Sequence, residues 1–408
     1  MPRRRWLNRT VAALSATSLF SDISHEMGTA VLPVFVASLS GGAAALGLIE
    51  GVATFVMSLG KLWGGGVGDR LRQRKWLTGG GYLLTTLGIG SYALAGSWLH
   101  VLIGRGAAWF GRGFRGPLRD ALMADGVESS DYGKAFGLER AADAAGAVIG
   151  PLLAVLLLYL LFPLRHILAF AIIPGLIASV LVWLLVREEP REPQESHPKF
   201  FTRLHKMPGG FKRFLFAIAV FALGDYSNTL LILWALGGAV DFTANLADPR
   251  VLTPILFYAG YNVVDAAVSY VSGALSDVWG RRWLLVGGYT CGVVVAFLIA
   301  YGGSPTFPLM VAVFALAGVT AGNQEAVEKA FAADFLREHE RALGFGTLAL
   351  VNGLGKLVAS AAVGALWAVY GVTVAFTVAG TVSLLGVILL AVLTRPSAIT
   401  PEATTSPA

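Results

Sequence analysis

The 408-residue chain reads as an all-α polytopic membrane protein, with twelve transmembrane helices in two pseudo-symmetric six-helix bundles. Composition is the first reason: 55% of residues are hydrophobic, 14% are charged, and mean hydropathy is +0.67. A water-soluble globule does not carry apolar residues in such continuous runs. Lipid admits only helices or closed barrels, and the strand-length alternation of a barrel is absent. Internal duplication is the second reason. Asp69 and Asp277 stand 208 positions apart, Asp125 and Asp334 stand 209 apart, and Phe136 and Phe345 stand 209 apart inside matching AFG and GFG triplets. Repetition at about half the chain length marks two similar halves.

The elements follow from apolar runs long enough to span a bilayer. The basic flank MPRRRWLNRT opens like a secretory signal, but its apolar run continues past Asp22, His25 and Glu26 to about residue 36. An uncleaved first helix is expected. Helix 2 covers about 44–69, helix 3 about 76–95, helix 4 about 98–122, helix 5 about 135–161 and helix 6 about 165–186. The first bundle is thus 1–186. A linker at 187–213, rich in proline and basic residues, joins it to the second bundle, 214–394. There helix 7 is expected at about 214–236, helix 8 at 251–275, helix 9 at 283–301, helix 10 at 308–331, helix 11 at 344–370 and helix 12 at 372–393. Residues 395–408 form a polar tail.

Net charge is +6, and the basic residues sit beside helix ends, so orientation explains them better than nucleic acid does. One set of loops holds Arg3, Arg4, Arg5, Arg9, 70–75, Lys134, the linker, Arg281, Arg282, Arg337, Arg341 and Arg395. The other offers Arg165 and Arg250. That bias puts both termini and the linker in the cytoplasm, in the plasma or inner membrane. The single Cys291 lies in an apolar run, so no internal disulfide can form.

Ionisable groups at membrane depth are costly unless they meet water or a partner, so their default reading is functional. Helix 1 carries Asp22, His25 and Glu26, which share a face by their spacing of three and four. Close carboxylates raise each other's proton affinity, which suits a group that loads and releases protons. A structural pair with a helix 4 arginine is the alternative. The same side chains, with Asp225, have donor types and spacing that also permit a divalent metal. Helix 4 carries Arg105, Arg112 and Arg115 as a stripe, suited either to charge balance or to an anionic ligand. Helix 7 supplies Asp225 and Asn228, in FALGDYSN as Asp22 sits in SLFSDISH. Helix 10 supplies Asn323, Gln324 and Glu325, with Glu328 and Lys329 expected nearer the interface. Lys61, Asp265 and Lys356 are isolated charges of second rank.

Two junctions carry a family resemblance. GGGVGDRLRQRK at 64–75 and GALSDVWGRR at 273–282 each end an apolar run with glycine, aspartate and basic residues. They resemble the G-x-x-x-D-R-x-G-R-K loop of the major facilitator superfamily, although Arg72 replaces the second glycine of the first copy and Val278 the first basic residue of the second. The resemblance implies twelve helices enclosing a cavity lined by helices 1, 4, 7 and 10. It also implies that Gly65, Asp69, Arg70, Asp277, Arg281 and Arg282 form a conformational latch. Gly146, Gly150 and Pro151 of helix 5 resemble a motif of exporting antiporters in the family, where glycines four apart allow close helix contact. Here Ala154 and Val155 stand where two glycines would continue it.

The expectation is a monomeric secondary transporter working by alternating access, driven by an ion gradient, the proton above all, and needing no cofactor. Its partners are a small-molecule or ion substrate and the lipid bilayer, not nucleic acid. Proton-coupled export leads, with anion transport on the helix 4 arginines or divalent metal export as alternatives. No nucleotide-binding motif supports ATP-driven pumping. An intramembrane enzyme would have to use His25 with Asp22 and Glu26, and neither that reading nor a scaffold explains the duplication.

Overall fold

The computed structural model describes residues 6–188, 207–237, 246–337 and 340–394, apart from the side chains of Asp69, Asp277 and Ala342. Most of the linker and all of the tail therefore lie outside the described residues. The first bundle contains α1 (Arg9–Ser38), α2 (Ala43–Arg70), α3 (Lys75–Gly90), α4 (Trp98–Asp125), α5 (Tyr132–Tyr159) and α6, in two pieces (Leu164–Phe170 and Ile172–Leu185). The second contains α7, also in two pieces (Gly209–Ala222 and Thr229–Ala235), α8 (Pro249–Trp279), α9 (Arg281–Tyr301), α10 (Phe307–Ala333), α11 (341–370) and α12 (372–393).

Local chemistry sets the helix ends. Asn8 caps α1 by accepting from the Val11 amide at 3.0 Å, and its own amide donates to the Gly126 carbonyl at the end of α4. Glu188 accepts from the amides of Arg74 and Lys75 and so caps α3. Gly371, at φ 84° and ψ 174°, turns α11 directly into α12, a backbone conformation that glycine adopts without a Cβ clash. Arg74 pairs with Asp125 at 2.9 Å, and Arg281 pairs with Asp334 at the duplicated place. The repeated aspartates therefore tie the start of the third helix of each bundle to the end of the fourth.

One expectation fails. Helix 7 is not continuous, because residues 223–228 leave the helix between its two pieces. Gly224 lies so close to α12 that a Cβ there would stand 2.3 Å from Ser383 Oγ, and the freed Ser227 amide is satisfied by Ser360 Oγ of α11 at 3.0 Å. Broken backbone survives at this depth only where protein side chains replace the lost bonds.

The packing repeats as the sequence does. α1 lies on α5 as α7 lies on α11, and α2 lies on α4 as α8 lies on α10. Between the bundles, α2 meets α11 along a seam of small residues, and α5 meets α8. A Cβ at Gly47 would stand 2.1 Å from the Ser360 carbonyl oxygen, and one at Gly364 2.4 Å from that of Ala43. Apolar packing then divides the molecule along its depth. Toward the face opposite the starts of α1 and α7, a single core joins both bundles, including Val31 and Phe35 of α1, Leu230 and Ile232 of α7 and Val363 of α11. Toward the face where α1 and α7 begin, each bundle keeps a separate core, around Leu14 and Val182 in one and Phe214 and Phe331 in the other. The bundles are thus joined at one face and part toward the other.

Among the described residues, seven helical runs are long and apolar enough to cross a bilayer by composition alone, with α11 and α12 counted as one run. α3, 16 residues long, falls outside that set, as do α1 and α4, which carry interior charges, and the interrupted α7. The polarity of α1, α4 and α7 faces protein, not lipid.

Candidate functional site

At mid-depth of α1, Asp22, His25 and Glu26 are 2%, 5% and 8% exposed. They form one chain of contacts with α4. Arg112 Nη1 donates to Asp22 Oδ1 at 3.0 Å, Nη2 donates to Oδ2 at 3.2 Å, and Nη1 also lies 2.8 Å from His25 Nδ1. That fork engages both carboxylate oxygens, the geometry that guanidinium provides and ammonium does not. His25 Nδ1 lies 3.2 Å from Glu26 Oε1, and its ring rests on Trp109 with centroids 4.6 Å apart. Glu26 Oε2 accepts from the Tyr258 hydroxyl of α8 at 2.8 Å. The chain therefore crosses from one bundle to the other.

A second crossing starts at Arg105, which is 1% exposed. It donates to Thr29 Oγ1 at 3.0 Å and stacks on Trp109, with Cζ 3.5 Å from the ring centroid. Arg105 Nη2 also lies 2.7 Å from Glu50 Oε1 of α2 as an ion pair, although no N–H points squarely at that oxygen. The other carboxylate oxygen, Oε2, accepts from Ser227 Oγ in the break of α7 at 3.3 Å. Arg115 stays inside the first bundle, donating to Ser21 and Thr85 over the ring of Tyr82. Of the three helix 4 arginines, Arg112 keeps the most exposure, 25% of its side chain.

In the second bundle, Asp225 pairs with Lys356 of α11 at 3.1 Å. A cavity of about 50 Å³ adjoins the pair, with Asn228, Thr320, Gln324 and Ser383 among its polar lining. Asn228 donates to the Tyr261 hydroxyl at 2.6 Å. Asn323 instead points between α8 and α9, reaching Ser272 and filling the notch at Gly288. Glu325 is half exposed and pairs with Arg140 of α5 at 2.9 Å, a further contact between the bundles. Glu328, expected at the interface, is 3% exposed and accepts hydrogen bonds from Tyr289, Gln324 and Asn352.

Asp225 does not join Asp22, His25 and Glu26. Among the described residues, no group of three or more His, Cys, Asp or Glu side chains is placed to hold a metal ion. Of the latch residues, Arg281 is held by Asp334 and the Ala330 carbonyl, Arg282 donates to the Ala391 carbonyl, and Gly65 faces open space. The side chains of Asp69 and Asp277 lie outside the described residues, and Arg70 is exposed. Gly146 and Gly150 seat α5 against α1, where a Cβ would stand 2.5 Å from the Leu19 carbonyl oxygen and 2.8 Å from that of Ile23; Pro151 follows inside the helix. The helix 5 motif thus presses directly behind Asp22 and Glu26.

Comparison with known proteins agrees with this architecture. The family model described as Major Facilitator Superfamily matches residues 14–247 and 214–407. An uncharacterized MFS-type transporter of Methanocaldococcus jannaschii is 32% identical over 368 residues, covering 89% of each chain. An uncharacterized protein of Mycobacterium tuberculosis is 26% identical over 359 residues, covering 86% of this chain and 84% of its own. Among solved structures, a bacterial homolog of the human lysosomal transporter Spinster, inward-facing and occupied, superimposes with a TM-score of 0.73 at 16% identity, covering 95% and 96% of the two chains. The nucleoside transporter NupG gives 0.76 at 14% identity, covering 95% and 100%. At these identities the structural likeness concerns the fold alone.

Proposed function

The chain belongs to the major facilitator superfamily, and from that premise we propose that it is a secondary active transporter exporting a small molecule in exchange for protons, with Asp22 and Glu26 in the proton path. Membership makes it a multi-pass membrane transporter and not an enzyme. The finer reading rests on one observation above the others: the Arg112–Asp22–His25–Glu26–Tyr258 chain, where two carboxyl groups sit between an arginine of one bundle and a tyrosine of the other.

Neutralising Glu26 changes what holds the bundles together, and neutralising Asp22 changes the grip of α4 on α1 within the first bundle. A proton on Asp22 weakens the fork of Arg112, and a proton on Glu26 alters the hydrogen bond to Tyr258. Protonation is thereby linked to whether the bundles stay closed, which is what coupling requires. The basic bias of the loops supports assigning the face where the bundles part to the cytoplasm, which favours the reading of a carrier open inward. Arg112, released from Asp22, presents a fork to an anionic group on a substrate. Its residual exposure favours an organic or inorganic anion as the second reading.

A thermal-shift screen of antibiotics, organic anions and divalent metals in detergent identifies binders through their stabilisation of the folded protein. Flux of a binder into proteoliposomes, driven by a pH gradient, then tests coupling. Asp22→Asn and Glu26→Gln are expected to abolish gradient-driven accumulation while leaving a folded protein. Undiminished accumulation in both variants removes these groups from the proton path.

A further inference from the structure

Glu328 lies outside the chain that runs from Arg112 to Tyr258. It is buried in the second bundle, and the groups that reach it are neutral: the Tyr289 hydroxyl of α9, the Gln324 amide one turn earlier on α10 and the Asn352 amide of α11. Among the described residues, no lysine, arginine or histidine lies within ion-pair distance of its carboxyl. The charged group facing it from α7 is Asp225, itself engaged by Lys356 of α11. On α10, Glu325 is engaged by Arg140 of α5. Tyr289 is fixed for its role, because its ring stacks on Phe221 of α7 with centroids 3.7 Å apart and planes 5° from parallel.

The duplication sharpens the contrast. Counting 209 positions back, Glu328 falls on Arg119, and 207 positions back Tyr289 falls on Tyr82. In the first bundle that place holds opposite charges together, Arg119 pairing with Glu139 while Ser18 contacts both. In the second bundle the acid stands without the cation. A buried carboxyl with only neutral partners reaches charge balance by taking up a proton.

We propose that Glu328 is a second proton-binding site, separate from Asp22 and Glu26, with Asn352 as its switchable partner. The supporting detail is an orphan. Asn352 Oδ1 is shielded from solvent and accepts no hydrogen bond, while the same side chain's Nδ2 donates to Glu328 Oε1. When Glu328 is ionised, all three neighbours donate to it. When it carries a proton, one carboxyl oxygen becomes a donor and needs an acceptor. Half a turn of the Asn352 amide supplies one, placing Oδ1 where Nδ2 stood. The carboxyl then finds partners in both charge states without moving a helix backbone, and α9, α10 and α11 remain joined in each. Gln324, which also lines the cavity beside Asp225 and Lys356, gives the site its connection to that space. A role for this proton in transport rests on the reading proposed above, whereas its binding does not.

The test follows the carboxylic C=O stretch of purified protein in lipid by infrared difference spectroscopy as pH is lowered, with no substrate present. A component of the growing band is expected to vanish in Glu328→Gln and to persist in Asp22→Asn. Tyr289→Phe, which removes a donor favouring the ionised form, is expected to shift that component toward easier protonation by about one pH unit. It serves equally if Glu328→Gln fails to fold. A band unaltered by Glu328→Gln, or by Tyr289→Phe where only that variant folds, overturns the proposal. If the band titrates as described while pH-driven flux is absent from the wild type, the site stands and the coupling reading falls.

Discussion

Tyr258→Phe removes one oxygen atom, and with it the hydrogen bond that Glu26 accepts across the bundles at 2.8 Å. Both residues are buried, at 5% and 8% exposure, so water does not replace the lost donor while the bundles remain joined. A hydrogen bond to a charged group contributes roughly 1.5–3 kcal/mol. The bond spans α1 and α8 and is lost once they separate, so its removal shifts the balance between joined and separated arrangements by roughly 10- to 150-fold. Ala43, 7% exposed, lies against Gly364 on the seam between α2 and α11 and reports that balance. In a Cys291→Ser background, Ala43→Cys is expected to react with a membrane-impermeant maleimide faster by that factor when Tyr258→Phe is added. Glu26→Leu combined with Tyr258→Phe should exceed neither single change by much, because both remove the same hydrogen bond. An unchanged labelling rate in Tyr258→Phe, or full additivity in the double variant, refutes the reasoning.

The seam itself gives a second prediction. A Cβ at Gly47 would stand 2.1 Å from the Ser360 carbonyl oxygen, so Gly47→Ala forces α2 and α11 apart at a cost of about 1–3 kcal/mol, again read as faster labelling at position 43. Slower or unchanged labelling contradicts close packing there. In the second bundle, Asp225 and Lys356 have side chains 19% and 24% exposed, which places their pair between surface and core. Asp225→Asn and Lys356→Met should each lower the melting temperature in detergent, and the double variant should fall by less than the sum. Additive losses would mean the two charges act separately.

Helix positions and the duplication were legible because twenty-residue apolar runs and paired landmarks survive in one dimension. The turn at Gly371 was equally plain, lying between the runs that end at Tyr370 and begin at Val372. The break in α7 was not, because its apolar flanks carry the run through and the cause lies in the distant Ser360 and Ser383. Asp22, His25 and Glu26 stand out as charges in an apolar helix, and the alternative of a helix 4 arginine partner is met by Arg112. Glu50 carried the same signal but has no charged neighbour close in sequence, stands 55 positions from Arg105, and spacing alone does not pair them. Tyr258 had no signal, since a buried tyrosine that donates across an interface has the sequence appearance of any packed aromatic. Glu328 was misplaced because Lys329 follows it; in the structure the two side chains diverge, Glu328 inward and Lys329 outward.

Distance measurement between spin labels tests most directly whether the two bundles move against each other about the buried network. Ser97 and Ser304 are exposed on the face where one core joins the bundles, and Ser129 and Arg341 are exposed on the face where they part. With Cys291 replaced by serine and one pair labelled at a time, each pair should show two distance populations. Tyr258→Phe should raise the longer population of the Ser97–Ser304 pair and the shorter population of the Ser129–Arg341 pair. A single population on each face, unmoved by Tyr258→Phe and by pH, contradicts the account.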